Sequence, residues 1–394
     1  MHDTDLNQDI IHQFVLSILR GRWDPSAILE ERDLLARHSM DWEQCYQLIA
    51  ANGVAPLVHS IIRDQGIFPP ILEQKLQKAH EHNRVRNIYL FSELKTVLSR
   101  FEVAGIPTIL LKGVALSKEI YADVALRPLT DMDLLVHPEE TESALNVLKS
   151  LGYDSLMPER GEKSSLLFEN EVLLVKPGPL RTVIEIHWSL LDSPHYQHYL
   201  DINWFWQTTD KLDFFGAPTF IFSPEAQLLH LCSHLMLHHS GRSLLWRHDI
   251  AEVIVHYNDT IDWGELLDRA KIYDLIIPTQ NILSSVIAKW HLPVRSEILK
   301  RLNELQPSAN ELKVHAYLTG DKSSSGRSFL NDLRSIPDIR MRMRFILNNL
   351  FPAPTYMTSR YHIPNSLLLP IYYPYRWYLG LRSFVQPKQR DQSR

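Results

Sequence analysis

Asp131 and Asp133 open an apolar strand, Asp-Met-Asp-Leu-Leu-Val over 131–136. Alternate residues of a strand point to one face, so the two carboxylates project side by side. Adjacent carboxylates repel, and both stay ionised only beside a counter-charge. A divalent cation is the commonest chemical reason for such a pair, and hard oxygen ligands suit Mg²⁺ or Mn²⁺. Asp-x-Asp alone is a short motif that usually marks a turn or a solvated edge. Here three neighbours strengthen it. Gly113 follows an apolar strand and precedes a helix, where backbone N–H groups can hold phosphate. Lys112 and Arg127 add positive charge, Arg127 either binding phosphate or bracing the aspartates. Glu185 supplies a third carboxylate inside another apolar run.

Glu185 shares a strand face with Val183 and His187, while Ile184, Ile186 and Trp188 share the other. A glutamate in mid-strand is costly to bury without a partner, so it needs a basic residue or a metal shared with the aspartates. His187 either binds substrate or hydrogen-bonds Glu185. The strands that carry these groups are Pro107–Leu111, the 131–136 strand, and a hairpin of 169–176 with 181–188 around Pro177-Gly178-Pro179. Between them, Pro138 starts a helix that closes at Gly152. Upstream, residues 8 to 95 read as helices, and Asn83–Phe101 as a long amphipathic one with Ile88, Leu90, Phe91 and Leu94 inward. Ser223-Pro224-Glu225 begins a second helical stretch.

Together Leu111-Lys112-Gly113, Tyr121-Ala122-Asp123, Arg127 with Asp131 and Asp133, and Glu185 with His187-Trp188 resemble the polymerase-beta-like nucleotidyltransferase superfamily, and within it the branch described as uncharacterised nucleotidyltransferases. No serine follows Lys112-Gly113 to offer a hydroxyl to phosphates, because Val114 stands there. The resemblance implies an α+β fold, a mixed β-sheet core flanked by N-terminal and C-terminal helical regions. The expected divisions are 1–95 (helical), 96–222 (nucleotidyltransferase core) and 223–394 (helical, with a basic aromatic tail). It also implies transfer of a nucleoside monophosphate from an NTP such as ATP to an acceptor, most simply a hydroxyl, with release of pyrophosphate. Asp131, Asp133 and Glu185 are then the catalytic and metal residues, holding two Mg²⁺ or Mn²⁺ ions. Lys112, Gly113, Arg127 and His187 are the nucleotide-binding residues. The acceptor is a small molecule, a peptide or a protein. The competing expectation is a catalytically silent nucleotide-binding or antitoxin-like module.

Composition is ordinary for a globular chain of 394 residues, and the net charge of −5 gives no bulk case for nucleic acid. Two cysteines, Cys45 and Cys232, provide no disulfide framework, and a cytoplasmic setting is expected. No apolar run is long enough to span a membrane. His230, His234 and His238 fall on one helix face and invite either zinc or a role in which one histidine faces the nucleotide site. Arg247 and Asp249 form a packing ion pair or border the acceptor pocket. Asp321–Ser328 reads as a polar loop. Residues 295–394 hold 16 Lys and Arg against 7 Asp and Glu, which hints at an anionic partner. Their Tyr- and Trp-rich end reads as helix packed on the body with a solvated basic face, the alternative being contact with nucleic acid or a membrane surface.

Overall fold

The computed structural model describes residues 2–28, 40–63, 65–121, 123–155, 170–239, 241–319, 325–336 and 338–383. Among the described residues, four N-terminal helices lead in: α1 (His2–Arg20), α2 (Trp42–Ala51), α3 (Ala55–Ile62) and α4 (Pro70–Val103). Asp41 caps α2 by accepting from the Gln44 amide. The core follows as β1 (Ile109–Leu110), α5 (Lys112–Glu119), β2 (Met132–Leu135), α6 (Thr141–Ser150), β3 (Asp154–Ser155), β4 (Glu171–Lys176) and β5 (Thr182–His187). It continues through α7 (Pro194–Tyr199), α8 (Ile202–Gln207), β6 (Thr209–Phe214) and β7 (Ala217–Phe222). The C-terminal helices are α9 (Pro224–His239), α10 (Leu244–His256), α11 (Trp263–Ile272), α12 (Ile276–Trp290), α13 (Ser296–Glu304), α14 (Ala309–Thr319), α15 (Ser325–Ser335), α16 (Ile339–Leu350), α17 (Pro354–Tyr361) and α18 (Leu369–Ser383).

The seven described strands form one mixed sheet in the order β3-β4-β5-β2-β1-β7-β6. β2 runs parallel to β5 and antiparallel to β1, and β4 and β5 form the expected hairpin. Strand alternation splits the interior in two. Met132, Leu134, Ile184 and Ile186 face one apolar cluster with Leu90, Leu94 and Phe101 of α4 and Leu148 of α6. Ile109, Leu111 and Leu135 face the other, with α1 and helices α9 to α12. Asp133, two residues before Leu135, therefore points toward the second layer. The fold is α+β, with helices before and after the sheet.

Two local readings differ from the sequence expectations. Ile88 of α4 is exposed, whereas Asn83 and Asn87 are buried. The reason is what that helix face meets: a loop whose carbonyls need donors. The Asn83 amide donates to the Ala125 carbonyl at 2.6 Å, and the Asn87 amide donates to Val124 and Arg127 carbonyls at 2.7 and 2.8 Å. Burial of unpaired carbonyls would cost more than burial of two amides that satisfy them. Second, the chain is helical from Ser325, inside the expected polar loop, while residues 321–324 lie outside the described residues.

Candidate active site

Register builds the site. β2 and β5 pair with Asp133 opposite Glu185 and Leu135 opposite His187. Parallel neighbours in register present their side chains to the same face, so Asp133, Glu185 and His187 converge there. One ligand atom from each lies within 4.8 Å of the others. Asp133 and His187 are buried and Glu185 is half-buried. β4 adds a residue that sequence reasoning missed. Its register places Glu171 opposite His187, and Glu171 Oε2 lies 3.1 Å from Nδ1 in an ion-pair contact too bent for a hydrogen bond. The signal was present: the hairpin turn at 177–181 fixes the pairing back to Glu171.

The positive groups are close. Lys112 Nζ donates to Asp133 Oδ1 at 2.7 Å, and His187 Nε2 lies 3.0 Å from the same oxygen and 3.5 Å from Glu185 Oε2. Burial pushes the Asp133 carboxyl up, but the Lys112 charge and the His187 hydrogen bond prevail and hold it well below the usual range. Burial and the Lys112 charge depress His187, yet its bonds to Asp133 and Glu185 and the charge of Glu171 outweigh them and raise it to about 9. These carboxylates favour the protonated form of His187 in the metal-free protein. Glu185 is raised, by burial first and then by Asp133, against the lowering hydrogen bond from His187. Asp131 stands beside the strand entrance, half-buried, and is raised by burial and by the Asp133 charge. It lies outside the converging group of Asp133, Glu185 and His187.

Gly113 and Arg127 meet each other. A Cβ on Gly113 would fall 2.1 Å from an Arg127 terminal nitrogen, so the guanidinium covers the glycine face where phosphate approach was expected. Arg127 is buried and donates to Asp249 Oδ2 from Nη2 at 2.9 Å, and to the Pro128 carbonyl at 2.7 Å. Tyr121 donates to the other Asp249 oxygen at 2.8 Å. Asp249 of α10 is therefore the anion for Arg127, while Arg247 donates to the Gly241 carbonyl and to Ser285 Oγ. Ala122 lies outside the described residues.

α9 faces this side of the sheet. His230 is buried, with its ring edge-on to Phe222 of β7, and burial followed by the charges of Lys112 and His187 lowers its pKa well below the usual value. His234 stacks on His238, with ring centroids 4.9 Å apart, and contacts Trp246 of α10. Among the described residues the three histidines form no cluster with a carboxylate or cysteine suited to zinc.

The family model for uncharacterised nucleotidyltransferases matches residues 38–286, which include every strand and every residue of the site. The chain belongs to this nucleotidyltransferase family. No curated protein sequence matches it. The crystal structure of an antigenic nucleotidyltransferase-like protein from Paracoccidioides brasiliensis is similar at 16% identity, covering 57% of this chain and 96% of that one, with a TM-score of 0.34. So distant a likeness adds nothing to the family assignment.

Proposed function

We propose that this family member is a divalent-cation-dependent nucleotidyltransferase acting at Asp133 and Glu185, with Asp131 at the entrance. The observation that carries this reading is the in-register pair of carboxylates on parallel strands, grouped with His187 within 4.8 Å. The donor set fits a hard cation, since the buried Asp133 carboxylate already draws an ammonium and an imidazole to itself and the Glu185 carboxylate lies 3.5 Å from the same imidazole. Mg²⁺ or Mn²⁺ held by Asp131, Asp133 and Glu185 would neutralise a triphosphate and polarise its α-phosphorus.

In this proposal the chain's own residues do the rest. The acceptor oxygen bonds to the α-phosphorus of the NTP, the α–β bridging bond breaks, and pyrophosphate departs with the bonding pair. The acceptor proton passes to Glu185, whose proton affinity is raised by burial. Lys112 exchanges Asp133 for a phosphate oxygen and brings its charge with it. His187 keeps the carboxylates oriented. Arg127 is a positioning residue that braces the Gly113 turn through Asp249.

One observation favours a second reading. Lys112 and His187 leave the carboxylates internally neutralised, as a silent nucleotide-binding module would. Incubation with each of the four NTPs and Mg²⁺ or Mn²⁺ separates the two, reading pyrophosphate release and the mass of candidate acceptors. A nucleotidyltransferase releases pyrophosphate and adds one nucleoside monophosphate mass to an acceptor, and Glu185→Gln lowers both by about a hundredfold or more. Calorimetric NTP binding with no pyrophosphate from any acceptor pool would replace the enzyme with the silent module.

A further inference from the structure

The C-terminal helices leave apolar side chains in water where a folded chain would normally cover them. Eleven of the twenty large hydrophobic residues that are exposed among the described residues lie between Ile339 and Leu381. They are not scattered. On α16, Ile339, Met343, Leu347 and Leu350 recur at helical spacing and form one outward stripe. Leu367, Ile371, Tyr375 and Tyr378 repeat the pattern on and just before α18. The two helices are joined where the Phe351 and Trp377 rings meet edge to face at 5.3 Å, and Trp377 Nε1 donates to the Leu350 carbonyl at 2.8 Å. Among the described hydrophobic residues from 336 onward, only Ile336, Phe345, Met357 and Ile363 are buried. Two apolar stripes of this kind on water-exposed helices mark a contact surface.

The charge around it selects the contact. Residues 338–383 contain six arginines, no lysine and a single acid, Asp338. Asp338 is used as the cap of α16, accepting from the Arg340 and Met341 amides. Arg340, Arg344, Arg360 and Arg382 are exposed. A second copy of the chain would bring the same unbalanced arginines against them, which repel. Nucleic acid would match the charge but leave the leucines and isoleucines uncovered. An anionic bilayer meets both requirements: acyl chains take the aliphatic stripe, headgroup phosphates take the guanidinium groups, and Tyr and Trp suit the boundary between. We infer that helices α16 and α18 dock the protein onto the surface of a membrane rich in anionic lipid. No described helix is long and apolar enough to cross one, so the contact is peripheral.

Sedimentation of the full chain with unilamellar vesicles tests this. Phosphatidylglycerol–phosphatidylcholine vesicles are compared with phosphatidylcholine alone, at low and at physiological salt. Binding to the anionic vesicles is expected, weakening with salt. Arg340→Gln with Arg344→Gln should weaken it on the order of twentyfold, because each surface arginine near an anionic leaflet contributes about fivefold. Leu347→Glu with Ile371→Glu should remove it. Both pairs are exposed, so their melting temperatures should match the wild type and separate lost docking from lost folding. Absence of binding to anionic vesicles at low salt would overturn the inference, as would binding that neither pair of substitutions alters. A concentration-dependent dimer in sedimentation velocity, abolished by the Leu347→Glu pair and unaccompanied by vesicle binding, would overturn it and give the face to a second copy.

Discussion

The Lys112 ammonium lies 2.7 Å from an oxygen of the buried Asp133, on a residue held in the left-handed backbone region at φ 47°. A lysine rarely adopts that conformation, and its persistence next to Gly113 means the surrounding contacts impose it. The consequence is competition: the ammonium occupies the oxygen that a divalent cation needs. Lys112→Met should therefore bind Mn²⁺ more tightly than the wild type, several-fold or more in paramagnetic titration, and bind NTP more weakly. Weaker Mn²⁺ binding would show that Lys112 supports the cation site rather than competing for it.

Glu185→Gln separates chemistry from folding better than a change at Asp133. Asp133→Asn strands the charges of Lys112 and His187 in a buried place, which costs several kcal/mol on general grounds. A melt of Asp133→Asn would thus fall whether or not the aspartate is catalytic. Glu185 is half-buried and already has a raised proton affinity, so losing its charge should change the melting temperature by only a few degrees. Nucleotidyl transfer should drop by about a hundredfold or more. Transfer within a few-fold of wild type would remove Glu185 from the mechanism.

His187 links stability to pH in the metal-free protein. Its folded pKa is about 9 against an unfolded value of 6.5, so the folded state binds the proton more tightly. The stabilisation is complete below pH 6.5 and is lost as pH rises through 9, amounting to about 3 kcal/mol at most. Urea unfolding in EDTA across that interval should show declining stability, and His187→Gln should flatten the slope. Parallel curves for the two proteins would mean that the imidazole is not charged in the fold.

Gly113→Ala tests the packing of the turn. The new methyl would overlap the Arg127 guanidinium, which its bonds to Asp249 and the Pro128 carbonyl keep from moving aside. Overpacking of this sort costs about 1–3 kcal/mol. The melting temperature should fall, and Arg127→Met in the same chain should recover part of the Gly113→Ala loss relative to Arg127→Met alone. Additive losses in this double-mutant cycle would show that the two residues are independent.

Much of this site is legible in the sequence because strand alternation is rigid. Once 131–136 and 181–188 are strands, the faces of Asp133, Glu185 and His187 follow from parity. Parity does not say which strands are neighbours, so the pairing of Asp133 with Glu185 needed the fold. Partners distant along the chain were harder to see. Asp249 meets Arg127 across 122 residues, and no local pattern encodes that distance. Apolar periodicity points Ile88 inward because it assumes an apolar neighbour, whereas the inward face of α4 carries Asn83 and Asn87, which look onto backbone carbonyls.

α4 is 34 residues long, and its two halves belong to different interiors. Leu72 and Leu76 enter the cluster of the N-terminal helices, whereas Leu90, Leu94 and Phe101 enter the cluster beneath the sheet. Between them, Asn83 and Asn87 grip the loop that carries Arg127. The helix is a common axle for both parts. A fragment starting at residue 96 would lose most of that axle and the asparagine grip with it. The sheet that carries Asp133 and Glu185 is therefore not portable, and grafting it into another protein requires a cut upstream of Pro70.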